Sequence, residues 1–282
     1  MILDAHQHFW RYDAPRFDWI SHAMACLKRD FLPKDLQQEF AANGVHQCIA
    51  VQAECSETET LFLLGLAKQW STIAGVVGWV ALRDSKLEER LGFFSGFPKL
   101  RGFRHIVQSE PDDRFLIRED FRRGIAALQR HGFTYDIVIY PRQLPAALEL
   151  VSFFPEQLFV IDHLAKPEIK DRKIEPWATQ MRALARNSNV YCKISGLVTE
   201  ADWQGWRPED FRPYLDVVFD AFGPERLMFG SDWPVCLVAS SYAGVKKLVV
   251  DYLVHFSDAD RAKVLGETAA RFYGIGTGKE CA

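Results

Sequence analysis

The residues best suited to chemistry stand at the start of the chain, where two histidines are separated by one residue. The apolar pair Ile2-Leu3 precedes Asp4, His6 and His8. Because side chains of a β-strand alternate between two faces, this run predicts that Asp4, His6 and His8 share one face. The Cα atoms of the two histidines would then lie about 6–7 Å apart, so that their ring nitrogens reach one small ion or one substrate oxygen. The spacing indicates a metal site or an acid–base site.

Further polar side chains follow later apolar runs. They are Gln52 and Glu54 after the second run, Arg104 and His105 at the fourth, Asp162, His163 and Lys166 at the sixth, Lys193 and Ser195 at the seventh, and Ser231, Asp232 and Trp233 at the eighth. Carboxylates, imidazoles and cationic groups of this kind bind ions, move protons or hold the oxygens of a substrate. Whether they meet the first two histidines depends on the elements that carry them.

Eight strand-like apolar runs alternate with helical patterns along the chain. The strands are predicted at residues 2–8, 47–52, 73–82, 100–105, 134–140, 158–163, 190–194 and 226–231. The helices are predicted at residues 33–43, 57–70, 85–95, 117–130, 143–153, 175–186, 209–222, 242–255 and 258–273, with a long loop at 11–32. This alternation predicts one α/β domain over residues 1–282, a (β/α)8 TIM barrel, whose strands carry their polar ends to one rim. A doubly wound open sheet is disfavoured because no strand precedes a glycine-rich nucleotide motif.

Composition limits the partners of the protein. The 282 residues are 48% hydrophobic and 25% charged, which is typical of a globular protein with a large core. A net charge of -3 gives no basic field for nucleic acid or a membrane surface. No apolar run approaches the roughly 18–20 residues that cross a bilayer, and six cysteines without a secretory signal favour reduced thiols. We therefore expect a cytoplasmic protein with a small-molecule partner, present as a monomer or small homo-oligomer.

Three motifs in order resemble the amidohydrolase superfamily. They are Asp4-x-His6-x-His8, Asp162-His163-x-x-Lys166-Pro167 and Gly230-Ser231-Asp232-Trp233-Pro234, at the ends of the first, sixth and eighth strands. Together they are similar to amidohydrolase-related family 2, and in particular to its lactonase branch, which includes L-fuconolactonases, L-rhamnonolactonases and pyrone dicarboxylate hydrolases. The resemblance spans residues 2–272. It implies a distorted barrel that hydrolyses a sugar-acid lactone or a similar small cyclic ester.

The resemblance also implies a central cluster, made of His6, His8, His163 and Asp232. In metal-dependent relatives such a set holds one divalent ion, and three nitrogens with one oxygen suit Zn²⁺. Some relatives are thought to work without metal, so one ion or none stays open. We expect Asp232 to take a proton from the attacking water and deliver it to the leaving oxygen. The histidines, or an ion that they hold, would polarise the carbonyl.

Other residues at the rim are expected to bind substrate, namely Gln52, Arg104, His105, Lys193 and Trp233. Arg104 suits bidentate contact with a carboxylate or hydroxyl pair. Two-metal relatives carry a carbamylated lysine after the fourth strand, where this chain has Arg104-His105. Two alternatives stay open: a metal-dependent decarboxylase or amide hydrolase on the same scaffold, and an inactive barrel that binds a sugar acid.

Overall fold

A computed structural model describes residues 1–276 and has the architecture of a (β/α)8 barrel. Its strands are β1 (Leu3–Gln7), β2 (Gln47–Val51), β3 (Ile73–Gly78), β4 (Leu100–His105), β5 (Thr134–Ile137), β6 (Phe159–Ile161), β7 (Val190–Ile194) and β8 (Leu227–Phe229). They pair in sequence order, and each neighbouring pair is parallel. Strand–helix–strand connections produce this arrangement. The predicted fold class is confirmed.

Helices surround the strands. They are α1 (Pro33–Asn43), α2 (Glu57–Gln69), α3 (Leu87–Phe94), α4 (Glu119–His131), α5 (Leu144–Phe153), α6 (Trp177–Ala185), α7 (Pro208–Phe222), α8 (Tyr242–Tyr252), α9 (Asp258–Ala262) and α10 (Thr268–Phe272). The helix predicted over residues 258–273 is divided by the π-helical segment Lys263–Glu267. A Cβ at Gly266 would stand 2.5 Å from the carbonyl oxygen of Met1, so glycine permits this close approach to the N-terminus. None of the helices in residues 1–276 has the length and apolar character of a membrane span.

Four strands end at least two residues earlier than the sequence predicts. β3 ends at Gly78, β5 at Ile137, β6 at Ile161 and β8 at Phe229, two to four residues before the predicted ends. The apolar side chains beyond β3 and β5, at Val80, Val138 and Ile139, remain buried although they leave the sheet. Hydrophobicity reports burial and not strand pairing, so the pattern overestimates strand length at this rim. Irregular backbone after β6 and β8 therefore carries Asp162, His163 and Asp232.

A bulge in β1 changes which side chains face the barrel interior. Asp4 pairs with Cys48 and Gln7 with Ala50, so three steps along β1 oppose two along β2. The extra residue reverses the alternation, and Ala5 and His6 both face inward. Ala5 packs in the interior apolar cluster, and His6 contacts charged side chains of other strands. Bulges near functional sites commonly re-aim a side chain in this way.

The bulge also explains a wrong prediction about Asp4. Its carboxylate accepts hydrogen bonds from the hydroxyl of Tyr242 on α8 (2.9 Å) and from the backbone N–H of Ser231 (2.9 Å), outside the ring of strands. Burial raises the pKa of Asp4 to about 6. Asp4 thus does not share a face with His6 and His8, and it anchors β1 to the segment after β8.

The segment after β8 closes the barrel against β1. The N–H of His8 donates to the carbonyl of Trp233 (2.7 Å), and the N–H of Asp232 donates to the carbonyl of His6 (2.8 Å). Trp233 also bridges to Gln7 as an isolated parallel pair, and its ring packs edge-on against Phe31 of the loop at residues 11–32. The contacts that close the ring of strands therefore bring the first and the last motif together.

The C-terminal end of α10 seals the opposite side of the barrel. Phe272 and Tyr273 pack on the interior cluster that includes Leu3, Val77 and Met228. The hydroxyl of Tyr273 donates to Oδ2 of Asp136, at a distance of 2.7 Å.

We expect Tyr273→Phe to lower the free energy of unfolding by about 2 kcal/mol, because it removes a buried hydrogen bond to a carboxylate. Denaturant unfolding monitored by circular dichroism measures this. Tyr252→Phe is the matched control, since Tyr252 makes the same 2.7 Å bond to the exposed Asp216, and it should cost under about 0.5 kcal/mol. Equal effects for the two variants would contradict a stabilising role of the buried bond.

Candidate active site

Three histidines converge on one carboxylate at the carboxyl rim of the barrel. Oδ1 of Asp232 lies 3.3 Å from Nε2 of His8, 3.9 Å from Nε2 of His6 and 3.9 Å from Nε2 of His163. The Nε2 atoms of His6 and His8 are 3.2 Å apart. All four side chains are buried. The structure thus brings together the four residues that the motifs single out.

Each histidine is oriented by its second ring nitrogen. Nδ1 of His8 donates to the carbonyl of Val51 at the end of β2 (2.8 Å). Nδ1 of His163 hydrogen-bonds with the hydroxyl of Ser195 after β7 (2.8 Å), and Nδ1 of His6 lies 3.3 Å from Oδ1 of Asp162. A partner on Nδ1 fixes the orientation of each ring, and in this orientation the three Nε2 atoms lie within 3.9 Å of Oδ1 of Asp232.

The turn that carries His163 has an uncommon backbone. Four consecutive residues, His163, Leu164, Ala165 and Lys166, have φ values of 53°, 53°, 57° and 52°. A left-handed helical conformation costs an L-residue about 1–2 kcal/mol, so the surroundings must hold it. Trp177 Nε1 donates to the carbonyl of Leu164 (2.7 Å), and the N–H of Lys166 donates to the carbonyl of His163 (2.7 Å). Strain of this kind is concentrated at functional sites.

Burial and charge set the protonation of the cluster. Burial lowers the pKa of His6 well below its usual value and that of His163 to about 4, although the charges of Asp162 and Asp232 oppose the two shifts. Burial alone would raise the pKa of Asp232, but the neighbouring imidazoles, His163 first and then His8, lower it below its usual value. Near neutral pH the site therefore offers neutral imidazole at His6 and His163 beside the Asp232 carboxylate.

This donor set fits one divalent metal ion. Ligand atoms about 2.0–2.2 Å from a tetrahedral zinc ion lie roughly 3.3–3.5 Å from one another. The separations of 3.2 Å between His6 and His8 and 3.3 Å between His8 and Asp232 match this closely. The ligand atoms of His6, His8 and Asp232 all lie within 4.8 Å of one another. His163 adds a third nitrogen at the edge of this group, with its Nε2 3.9 Å from Oδ1 of Asp232.

A buried network of charges supports His6 from within the barrel. Nζ of Lys193 lies 2.5 Å from Asp136 and 3.0 Å from Asp162, and 3.2 Å from Nδ1 of His6. Nη1 of Arg104 donates to the other oxygen of Asp162 (2.9 Å). Two cations thus balance two carboxylates, as burial requires. Burial would raise the pKa of Asp162, but Lys193, His6 and Arg104 keep it well below its usual value. For Asp136, burial raises the pKa to about 6.

The cluster forms one wall of a cavity of about 700 Å³. The loop at residues 11–32 lines part of it, and Arg16 of this loop pairs with Glu54 after β2. The cavity combines charged groups with aromatic rings, as sites for small ligands do. Its lining includes His8, His163 and Asp232 of the cluster, together with Trp19, Arg104, His105, Glu110, Tyr140, Lys166, Glu200 and Trp203.

Two of the five residues expected to bind substrate line this cavity. Arg104 is 5% exposed, and its Nη1 lies 3.3 Å from Nε2 of His6, so its charge acts at the cluster itself. His105 uses both ring nitrogens within the protein: Trp79 Nε1 donates to Nδ1 (3.1 Å), and Nε2 donates to Glu110 (2.7 Å). His105 thus positions Glu110 on the cavity wall.

The other three, Gln52, Lys193 and Trp233, are buried and do not line the cavity. Gln52 accepts a hydrogen bond from Arg104 through its backbone carbonyl and donates one from Nε2 to the carbonyl of Arg104 (3.1 Å). Lys193 belongs to the charge network, and Trp233 closes the barrel. Their location supports a positioning role for each and does not favour contact with substrate.

Sequence reasoning missed Asp136 and the pairing of Lys166 with Glu200. The signal for Asp136 was present: a carboxylate in a fully buried strand needs a cation, and Lys193 stands in the buried strand β7. Glu200 lies in a loop after β7 without a motif, so no sequence signal connects it to Lys166. This contact depends on the left-handed turn after β6.

The barrel, the three imidazoles and the carboxylate define a class of protein, a (β/α)8 barrel with a histidine–carboxylate cluster at its carboxyl rim that could hold a metal ion. The family model for amidohydrolases matches residues 3–275, and the chain belongs to this family.

Proteins of similar sequence align with this chain over nearly their whole length. An L-fucono-1,5-lactonase from Burkholderia multivorans is 45% identical, with 97% of this chain and 96% of that protein aligned. An L-fucono-1,5-lactonase from Burkholderia ambifaria is 36% identical, over 97% and 95%. The crystal structure of a Burkholderia multivorans amidohydrolase with bound zinc superimposes with a TM-score of 0.94 at 45% identity, covering 98% of this chain and 99% of that one. The expected resemblance to the lactonase branch is confirmed.

Proposed function

We propose that this protein is a lactonase that hydrolyses the cyclic ester of a sugar-acid lactone. The observation that carries the proposal is the convergence of His6, His8 and His163 on Asp232 beside a cavity of about 700 Å³, which His8, His163 and Asp232 line. The two L-fucono-1,5-lactonases, 45% and 36% identical over nearly the whole chain, support this substrate class.

Hydrolysis needs a nucleophilic water and a place for the negative charge of the tetrahedral intermediate. Asp232 accepts a proton from the water as its oxygen bonds to the carbonyl carbon. When the ring C–O bond breaks, Asp232 delivers this proton to the leaving oxygen, and the product is a hydroxy acid. The guanidinium of Arg104, at the edge of the cluster, stabilises negative charge on the substrate.

We propose zinc as the resident ion. Imidazole nitrogens and a carboxylate oxygen are donors that Zn²⁺ prefers, and the zinc-bound amidohydrolase supports the assignment. When bound, the ion supplies Lewis-acid polarisation of the carbonyl and makes water more acidic. His6, His8, His163 and Asp232 would hold it.

The cellular setting is also a proposal. Buried thiols at Cys48, Cys192 and Cys236 suit the reducing cytoplasm. We propose that the protein works there as a monomer or a small homo-oligomer, on a small molecule.

A panel of five- and six-membered aldonolactones tests the proposed activity by acid release. We expect turnover of L-fucono-1,5-lactone or a close stereoisomer, loss of activity after chelation and recovery with Zn²⁺. Activity that survives complete metal removal would contradict the role of zinc but not the lactonase. Decarboxylation of a hydroxybenzoate without turnover of any lactone would contradict the lactonase itself.

A further inference from the structure

An ion pair stands on the cavity wall beside the cluster without a part in the proposed hydrolysis. Nζ of Lys166 lies 3.0 Å from Oε1 of Glu200, and the two side chains are 15% and 20% exposed. Both line the cavity that contains Asp232. Burial would lower the pKa of Lys166, but the charges of Glu200 and then Asp232 raise it above its usual value, so Lys166 remains an ammonium close to the reacting centre.

The backbone holds this pair in a fixed position relative to the cluster. Lys166 ends the left-handed turn that begins at His163. Glu200 ends a short turn after β7, and its carbonyl accepts a hydrogen bond from the N–H of Lys170 (3.0 Å). Thr199 Oγ1 donates to the carbonyl of Gly196 (2.6 Å), next to the Ser195 that orients His163. The same two loops therefore position the pair and one of the imidazoles.

Aromatic rings stand next to the pair. Nζ of Lys166 lies 5.7 Å from the ring centre of Tyr140. Trp203 lines the same cavity, and its Nε1 donates to the carbonyl of Thr199 (2.9 Å), which fixes the indole near Glu200. Rings of this kind offer an apolar surface to the C–H groups of a bound molecule, and the few polar groups between them fix its orientation.

The pair retains hydrogen-bonding capacity beyond its own contact. An ammonium has three N–H donors and a carboxylate about four acceptor positions, and one of each is used between Lys166 and Glu200. A molecule with two adjacent hydroxyl groups can donate to the carboxylate through one and accept from the ammonium through the other. A plain cyclic ester offers no such group.

We propose that Lys166 and Glu200 bind two adjacent ring hydroxyls of the substrate, so that this pair selects polyhydroxylated lactones over unsubstituted ones. The inference rests on the proposed lactonase function and specifies how its site recognises the ring. Lys166 and Glu200 are thus specificity-determining residues, and Asp232 with the histidines acts on the carbonyl.

The test compares Lys166→Met and Glu200→Gln with wild type on a hydroxylated 1,5-aldonolactone and on δ-valerolactone, which has the same ring without hydroxyls. We expect the ratio of kcat/KM for the aldonolactone to that for δ-valerolactone to fall about 30-fold in Lys166→Met and about tenfold in Glu200→Gln, mainly through KM. Lys173→Met is the control, because Lys173 makes an ion pair of 2.7 Å with Glu168 on the surface. It should leave the ratio unchanged.

A ratio that stays at the wild-type value in Lys166→Met would overturn the proposal, including a case in which both substrates lose activity equally. If the wild-type protein opens neither lactone, the proposed function fails, and calorimetric binding of the aldonate still decides the role of the pair. Tenfold weaker binding to Lys166→Met would then support it, and unchanged binding would overturn it.

Discussion

Asp232→Asn is expected to lower kcat for lactone opening by at least about 10³-fold, because the change removes both the proton acceptor and the anionic member of the metal site. The fold should persist. Asparagine tolerates the left-handed φ of 57° at this position, and the backbone bond from residue 232 to the carbonyl of His6 is unaffected. Steady-state acid release measures kcat, and circular dichroism with metal analysis reports on the state of the protein.

The control is Asp18→Asn, which removes an exposed carboxylate from the covering loop of the same cavity. This variant should keep kcat within about twofold of wild type, as surface changes away from special contacts usually do. If Asp232→Asn retained more than about a tenth of the wild-type kcat, Asp232 would not be the base.

Gly196→Ala is expected to lower kcat/KM by about 100-fold, which corresponds to about 2.7 kcal/mol of transition-state stabilisation. A Cβ at Gly196 would stand 2.6 Å from Nδ1 and 2.7 Å from Cγ of His163. The imidazole would have to leave its hydrogen bond to Ser195 and turn its Nε2 away from Asp232. Activity and bound metal are measured together, because both depend on His163.

The matched control is Gly132→Ala at the end of α4. Gly132 has a similar φ, 72° against 63° at Gly196, but an added Cβ would meet nothing within 4 Å. It should cost about 1 kcal/mol of stability from the left-handed conformation alone and leave kcat/KM near wild type. Full activity in Gly196→Ala would show that catalysis does not depend on the position of His163.

Much of the fold can be predicted from the sequence because the alternation of buried strands and helices is repeated along the whole chain. Eight buried runs separated by helical patterns leave few architectures, and an error of several residues at a strand end does not change the topology. The motifs in the first, sixth and eighth loops likewise identify His6, His8, His163 and Asp232, since strand order alone brings these loops to one rim.

The details that depend on local irregularity do not follow from the sequence. The bulge in β1 has no distinctive residue type, so simple alternation places Asp4 on the wrong face. The left-handed turn that aims Lys166 contains no glycine, and residue preferences argue against it. Lys193 lies at a strand end, where a residue that binds substrate is expected. Its side chain instead pairs with Asp136 and Asp162 in the barrel interior.

A crystal structure of the protein with the aldonate product of its best lactone would locate the hydrolytic centre without further inference. We expect the carboxylate carbon of the product within about 3.5 Å of an Asp232 oxygen, with hydroxyl groups toward Lys166 and Glu200. A product carboxylate bound away from Asp232 and the three histidines, elsewhere in the cavity or outside it, would contradict the assignment of these four side chains as the hydrolytic centre.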